Sequence, residues 1–295
     1  MKIFKATKND QGRTLYKFVK NIYKNNSLNQ IYRSFRKGDI KVNGKSVKDH
    51  NYIINFDDEI KVYGLNDEFE VVDFSKKEQI LKLDIVYEDK NILIVNKPFG
   101  IAVHDTEPNS SLDKEVLKYL KYKTADSFKP SHVGRLDKAT SGLIVYGKNY
   151  KTVKELNYKT SFFTKIYEYI SEKVTPDGQY WVDVKKDKEG FLEPIAIYNE
   201  DTKPLNTTNL WSTTFFTLNG HTYAQLGTGK KNQIRVTLSA LKNPIIGDWK
   251  YGGRRASRLY LHAYKIIFNS LESDLKYLNN KEFICNKKIG ALWKK

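Results

Sequence analysis

The sequence predicts an α+β fold in which a small helix pair with a short sheet precedes a large domain built on a mainly antiparallel mixed sheet. Two stretches near the start place apolar residues at helical spacing, and an Asn-Gly turn between short strands follows them. From about residue 82 onward, short strands follow one another with few helices between them, which argues against a doubly wound parallel fold. The 295 residues allow one large domain and one small domain.

The first unit is expected to span residues 1–63. Apolar residues recur every three or four positions in "RTLYKFVKNIY" and "SLNQIYRSFRKG", which predicts two helices. Ser27 is the expected N-cap of the second helix, and Gly38 is expected to end it. The stretch "DIKVNGKSV" predicts a hairpin around Asn-Gly, and "FDDEIKVY" predicts one further strand.

Positive charge is concentrated in this unit. The chain carries 51 Lys and Arg against 34 Asp and Glu, a formal net charge of +17. Residues 1–63 hold 14 basic and 6 acidic residues, so their net charge is +8. Four of the basic residues lie on the second helix and the turn after it: Arg33, Arg36, Lys37 and Lys41. They predict a surface that follows a phosphate backbone, and a solvated helix face is the alternative.

A segment of different composition, residues 64–81, interrupts the basic pattern with five acids and two lysines and is interpreted as a linker. Residues 82–295 form the expected large domain. Its predicted strands are "DIVYED", "NILIVNK", "GLIVYGK", "KIYEYIS", "YWVDVK", "TYAQLG" and "LYLHAYKIIF", and its predicted helices lie near 112–121, 150–158 and 231–241.

Several classes of protein lack support in the sequence. Cys285 is the single cysteine, so no intrachain disulfide and no multi-thiolate zinc site are expected, and the five histidines show no metal-ligand spacing. The phosphate-loop, dinucleotide-binding and serine-hydrolase motifs are missing, so nucleotide hydrolysis, dinucleotide redox chemistry and serine hydrolysis have no support in the sequence. Without a signal peptide or a membrane-length apolar run, the protein is expected to be soluble, cytoplasmic and free of membrane contact.

The motif that most strongly suggests a functional site is "GRLDKATSGLIVYGKN". Arg135 and Asp137 flank one leucine just before an apolar run that predicts a buried strand. The small residues Thr140, Ser141 and Gly142 are expected to form a turn that holds Asp137 at the strand entrance.

This motif and three others, in the same order, resemble those of the RluA-type pseudouridine synthases. The other stretches are "VYEDKNILIVNKPFGIAVH", "KIYEYI" and "GKKNQIRVTLSALKNPIIGDWKYG", so the resemblance covers nearly the whole large domain. It implies the catalytic fold of that family and the isomerisation of uridine in RNA without a cofactor. By the same resemblance, Asp137 is the catalytic aspartate, Tyr167 the active-site tyrosine, Arg235 the active-site basic residue, and Leu261 an apolar wall.

The chemistry fits these residue types. Isomerisation breaks the bond between ribose C1′ and uracil N1 and rejoins the base through C5, so a carboxylate is needed either as a nucleophile or as a base. A cation such as Arg235 would favour the ionised form of Asp137. Tyr167 offers a ring for stacking on the uracil and a hydroxyl near its C5.

Other positions have weaker assignments. By resemblance, Arg135 inserts into the gap that the flipped base leaves, and the alternatives are a structural salt bridge and a phosphate contact. Lys231 and Gln233 are expected to contact RNA phosphate, with a solvated helix start as the alternative. His104 and His262 are expected to make structural hydrogen bonds, and Asp248 is expected to have a structural role in its turn.

The basic unit 1–63 resembles the small RNA-binding module of a small-subunit ribosomal protein, which RNA-modifying enzymes also use. RNA is therefore the expected partner of a monomeric protein. One departure is Gly134, which stands where the family commonly has histidine. Large-subunit ribosomal RNA is the favoured target; transfer RNA, a non-catalytic ribosome-assembly role and a glycosidase-like hydrolase are the alternatives. The hydrolase alternative is weaker, because glycosidases normally use two carboxylates and the sequence shows no evident second one.

Overall fold

The N-terminal part folds as two helices against a small antiparallel sheet. A computed structural model describes residues 1–66, 74, 81–104, 111–123, 128–204, 209–286 and 289 of the chain. Its first elements are β1 (Lys2–Lys5), α1 (Leu15–Ile22), α2 (Leu28–Lys37), β2 (Ile40–Val42), β3 (Lys45–Ser46) and β4 (Glu59–Val62). The four strands pair in the order β1-β4-β2-β3. Both predicted helices and the hairpin are present.

Local sequence determines where α2 begins and ends. The Ser27 hydroxyl accepts a hydrogen bond from the backbone N–H of Gln30, and the Gln30 side chain accepts one from the backbone N–H of Ser27. Gly38 ends the helix in the left-handed conformation, as its position predicts. The buried face of α2, including Ile31 and Phe35, packs into a core formed by side chains of the N-terminal part.

The large part is built on one extensive sheet. Its strands are β5 (Asp84–Glu88), β6 (Ile92–Lys97), β7 (Ser131–Val133), β8 (Ser141–Gly147), β9 (Thr164–Tyr169), β10 (Gly178–Lys186), β11 (Leu192–Tyr198), β12 (Trp211–Leu218), β13 (His221–Leu226), β14 (Leu261–Ile267) and β15 (Glu282–Ile284). The helices are α3 (Leu112–Tyr119), α4 (Tyr150–Lys159) and α5 (Gln233–Ala240). The predicted α+β class with a mainly antiparallel sheet is confirmed.

The strand order brings distant parts of the chain together. Across the described residues the main path is β11-β10-β12-β13-β9-β14-β8-β6-β5, with β15 beside β14 and β7 beside β8. The pairing of β8 with β14 is parallel, whereas the other pairs of this sheet are antiparallel. The loop before β8 and the start of β14 therefore lie at the same end of the sheet.

A glycine permits this parallel contact. Gly142 on β8 pairs with Ala263 on β14, and its φ is +113°. A Cβ at this position would lie 2.3 Å from the Ala263 carbonyl oxygen and 2.5 Å from its nitrogen. Any side chain would force the two strands apart, so only glycine allows β8 and β14 to meet.

The structure adds two long strands to those predicted in the large part. β11 and β12 follow β10 as an antiparallel meander, and Pro194 is accommodated because β11 is the edge strand. Most of the predicted linker 64–81 lies outside the described residues. Within the described part of the chain, no helix has the length and apolar character needed to cross a membrane.

We expect acid to destabilise the fold through His262, which is buried on β14. Burial, and secondarily the charge of Arg258, lowers the pKa of His262 to about 4. An unfolded chain binds this proton near pH 6.5, so the stabilisation is present above pH 6.5 and is lost as the pH falls towards 4. Urea unfolding should show a loss of up to about 3 kcal/mol from this residue over that range.

His262→Asn should flatten this pH dependence because the replacement does not titrate. The exposed His50 provides a control, since His50→Asn should keep the full acid-induced loss. Equal slopes for the wild type and His262→Asn would contradict the assignment.

Candidate active site

A cleft of about 690 Å³ opens at the end of the sheet where β8, β9 and β14 meet the start of α5. Its lining includes all the site residues that the sequence predicted in the large domain, namely Asp137, Tyr167, Arg235, Arg135, Leu261, Lys231 and Gln233. These residues come from four separate stretches of chain, so the fold brings them together.

Asp137 lies in the turn between β7 and β8. Its backbone carbonyl accepts a hydrogen bond from the Thr140 backbone N–H at 3.0 Å, which closes the turn before the buried strand begins. The Asp137 side chain is 35% exposed, so its carboxylate is held at the cleft surface while remaining accessible. Leu136 packs against an apolar cluster behind the turn.

Arg235, on the first turn of α5, joins two carboxylates. Its Nε and Nη2 each donate to Asp248 at 2.7 Å, and its Nη1 donates to Asp137 Oδ2 at 3.1 Å. Burial alone would lower the pKa of Arg235, but the hydrogen bonds and charge of Asp248, followed by those of Asp137, raise it. Arg235 is therefore a permanent cation that orients Asp137.

The turn that contains Asp248 completes this support. Asp248 is buried and binds Arg235 bidentately, so the structural role predicted for it agrees with its contacts. The Arg235 guanidinium carbon lies 5.0 Å from the centre of the Tyr251 ring, a cation–π contact. The Tyr251 hydroxyl accepts a hydrogen bond from the Asn232 side chain at 3.1 Å. Asp248 and Tyr251 of this turn therefore hold the Arg235 guanidinium in position.

Tyr167 and Leu261 form the apolar side of the cleft. Tyr167 lies on β9, between Ala224 of β13 and Ala263 of β14, and Leu261 begins β14. Burial and the nearby charge of Asp137 raise the pKa of Tyr167 to about 12. Its hydroxyl therefore stays protonated at neutral pH, and the ring offers a flat surface beside the carboxylate.

Lys97 ties the loop after β6 to the Asp137 turn. Its buried ammonium donates to the carbonyl oxygens of Pro98 and Ile101 at 2.9 Å and to that of Lys138 at 3.2 Å. The Gly100 backbone N–H also donates to the Lys138 carbonyl, at 2.8 Å. Burial lowers the pKa of Lys97 to about 7, against the opposing charge of Asp137. No separate role for Lys97 is predicted from the sequence, because its hydrogen-bond partners lie up to 41 residues away.

The structure explains the glycine before Arg135. Gly134 has a φ of +69°, a conformation that side-chain-bearing residues rarely adopt, so glycine suits this backbone. Arg135 follows it as an exposed side chain at the cleft surface, and Lys231 is likewise exposed there.

The expected RNA contact of Gln233 needs correction. Its side chain is buried, and its amide donates to the Ser212 carbonyl and the Thr213 hydroxyl. Its amide oxygen accepts from the Thr228 hydroxyl and the Lys230 backbone. All four hydrogen-bonding positions are therefore used inside the protein, and Gln233 fastens the start of α5 to β12.

The basic residues predicted on the N-terminal part lie at its surface. Arg33, Arg36 and Lys37 are exposed on α2. Lys41 on β2 is half-buried, with its ammonium 5.5 Å from the centre of the Tyr63 ring. The first three side chains are therefore accessible to a large polyanion.

This fold and cleft define an α+β enzyme domain with a carboxylate at its centre. A family model described as RNA pseudouridylate synthase matches residues 91–240. The chain is 37% identical to a protein of Mycoplasma capricolum named as an uncharacterized RNA pseudouridine synthase, over 96% of this chain and 97% of that one. It is also 28% identical to the ribosomal large subunit pseudouridine synthase C of Escherichia coli K12, over 91% and 88% of the two chains.

The chain therefore belongs to the RNA pseudouridylate synthase family, and it is an RNA pseudouridine synthase. Solved structures agree on the fold. Human RNA pseudouridylate synthase domain containing 1 matches 74% of this chain and 96% of its own, with 18% identity and a TM-score of 0.50. Human RNA pseudouridylate synthase domain containing 4 matches 71% and 90%, with 23% identity and a TM-score of 0.50.

We expect Lys97→Met to lower both stability and turnover. The substitution keeps the length of the side chain but removes the Lys97 donor from the Pro98 and Ile101 carbonyl oxygens, and it leaves the Lys138 carbonyl with the Gly100 N–H alone. The cost is on the order of 1 to 3 kcal/mol for each carbonyl that stays unpaired. Because one of these carbonyls belongs to the Asp137 turn, kcat should fall with little change in KM. Thermal unfolding and steady-state kinetics check this.

Lys148→Met is a matched control at the far end of β8. The Lys148 ammonium donates to Glu88 and to the Asp89 carbonyl, away from the cleft. This variant should lose stability while keeping kcat. An equal loss of kcat in both variants would contradict a specific role for Lys97.

Proposed function

We propose that this enzyme isomerises uridine in large-subunit ribosomal RNA and that Asp137 carries out the chemistry. The observation that carries the proposal is the accessible Asp137 carboxylate, bound by Arg235 and adjacent to the Tyr167 ring in one cleft. The name of the Escherichia coli relative supports the choice of RNA.

The reaction requires few catalytic groups on the enzyme. The bond between C1′ and N1 breaks, the uracil turns, C1′ bonds to C5, the C5 proton leaves and N1 gains a proton. Asp137 can serve this sequence by attacking the sugar or the base as a nucleophile, or by removing a sugar proton as a base. Both roles require an ionised carboxylate, and the guanidinium of Arg235 binds this carboxylate at 3.1 Å.

The remaining cleft residues are assigned to holding the flipped nucleotide. Stacking on Tyr167 is worth on the order of 1 to 3 kcal/mol, which helps to offset the few kcal/mol that flipping costs. Because the Tyr167 hydroxyl is protonated at neutral pH, we favour stacking over a role as a base. Leu261 is proposed to supply an apolar wall, and Arg135, which is exposed on the cleft lining, is proposed to fill the gap in the RNA.

The N-terminal unit 1–63 is proposed to bind the same RNA away from the cleft. The exposed Arg33, Arg36 and Lys37 and the half-buried Lys41 would contact phosphates, while residues 82–295 supply the catalytic domain. Lys231 would add a phosphate contact at the cleft. A monomeric state and a cytoplasmic location remain predictions.

We expect Asp137→Asn to abolish isomerisation while leaving RNA binding within about threefold, because the amide has the same shape but cannot act as a nucleophile or base. Release of tritium from RNA labelled at uridine C5 measures the reaction. Asp201→Asn, at an exposed position, is the control and should be fully active.

Retained turnover in Asp137→Asn would rule out the assigned role. Release of free uracil by the wild type would indicate a hydrolase instead.

Arg235→Lys should reduce kcat about 100-fold, a magnitude typical of losing one preorganised electrostatic contact. A lysine cannot bind Asp248 with two parallel bonds and reach Asp137 at the same time. The same assay measures kcat, and Arg254→Lys tests the same change in an exposed ion pair with Glu172. Activity of Arg235→Lys equal to that of the control would contradict the orienting role.

The target RNA can be tested in cells. Pseudouridine mapping with and without the gene should show the loss of one or more sites in large-subunit ribosomal RNA. Losses confined to transfer RNA would contradict the target and favour the alternative. If no site were lost, a non-catalytic role in ribosome assembly would gain support.

A further inference from the structure

A buried carboxylate beside the cleft holds two histidines and a tyrosine. Asp113, on the first turn of α3, accepts hydrogen bonds from His132 Nδ1 at 3.0 Å and from the Tyr146 hydroxyl at 2.9 Å through Oδ1. Its Oδ2 lies 2.9 Å from His104 Nδ1. These three partners come from three separate parts of the chain, and the reaction outlined above uses none of them.

Asp113 is ionised in this setting. Burial alone would raise its pKa, but the hydrogen bonds and charge of His132, followed by the bonds from His104 and Tyr146, bring the pKa below its ordinary value. A buried negative charge needs a nearby positive charge. Within the described part of the chain, the ion pairs of Asp113 are those with these two imidazoles.

The contacts with Asp113 determine which nitrogen each ring offers to a ligand. Because Nδ1 of each ring faces Asp113, Nε2 is the atom left for other partners. Both rings line the active-site cleft, with their centres 6.2 Å apart, and Arg135 lies on the same lining. The side chains of His104 and His132 are 63% and 19% exposed, so both can be reached from the cleft.

We propose that the His104–His132 pair binds a phosphate of the substrate RNA next to the flipped uridine. The pair takes no part in bond breaking. It fixes the strand through Nε2–H groups, while Asp113 holds both rings in position. This proposal rests on the proposed function, because it assigns a further RNA contact to the same cleft.

A phosphodiester fits this lining better than a neutral group. The cleft also carries Arg135, Lys138, Lys230 and Lys231, which would attract a polyanion. With the ring centres 6.2 Å apart, the two Nε2–H groups can each reach one of the two free oxygens of a single phosphate.

Paired substitutions separate RNA binding from a structural role. In His→Asn, the amide nitrogen can occupy about the place of Nδ1 and keep the bond to Asp113, but nothing replaces Nε2. In His→Gln, the amide nitrogen can reach about the place of Nε2. We therefore expect the KM for unmodified large-subunit ribosomal RNA transcripts to rise about tenfold in His132→Asn and to recover within about threefold in His132→Gln.

The dependence on salt gives a second measurement. Loss of a phosphate contact should reduce the slope of log affinity against log salt by about one in the Asn variant, a change that a purely structural defect would not produce. The same pair of substitutions at His104 should act in the same direction, and kcat should stay within about twofold throughout.

His221 provides a matched control. Its Nδ1 lies 2.7 Å from the buried Glu168, so it is held in the same manner, but it does not line the active-site cleft. His221→Asn should leave KM and the salt slope unchanged.

Two results would overturn the proposal. One is a normal KM in His132→Asn together with a raised KM and a lowered melting temperature in His132→Gln, which would mean that the pair only supports the fold. The other is an unchanged KM in both variants. If the wild type leaves this RNA unmodified, the proposed target has failed instead, and the comparison applies to the RNA that the enzyme does modify.

Discussion

The guanidinium of Arg235 makes the central interaction of this site, because it neutralises one buried carboxylate and orients a second one at the surface. Its Nε and Nη2 donate hydrogen bonds to Asp248, and its Nη1 donates to Asp137. Removing one partner of a buried ion pair typically costs about 3 to 5 kcal/mol, so the site is expected to keep all three groups together. Catalytic orientation and local stability therefore depend on the same side chain.

The backbone around Asp137 is held from two further directions. Lys97 and Gly100 both bind the Lys138 carbonyl, and the parallel contact of Gly142 with Ala263 fixes where β8 begins. An accessible carboxylate thus lies on a turn with little freedom to move. Such preorganisation lets an enzyme stabilise a developing charge without first rearranging its own groups.

Much of this architecture could be predicted from the sequence, because the signals were local. Helical spacing, the Ser27 cap and the Asn-Gly turn each depend on residues that are close together in the sequence. Four ordered motifs were enough to predict the family. The sequence does not predict β11 and β12, in part because Pro194 weakens a strand pattern unless the strand lies at an edge. It also does not predict the hydrogen bonds of Lys97 and Asp113, since their partners lie up to 41 and 33 residues away. The burial of Gln233 depends on its bonds to β12, so it cannot be predicted without that strand.

The most direct test of the account is a structure of the enzyme bound to RNA with 5-fluorouridine at the target position. Fluorine replaces the C5 hydrogen that must leave as a proton, so the reaction should stop before its end. We expect the base to be flipped into the cleft and stacked on Tyr167, with the Asp137 carboxylate in contact with the nucleotide and still bound by Arg235. A base lying outside the cleft, or an Asp137 carboxylate facing away from the nucleotide, would contradict the account.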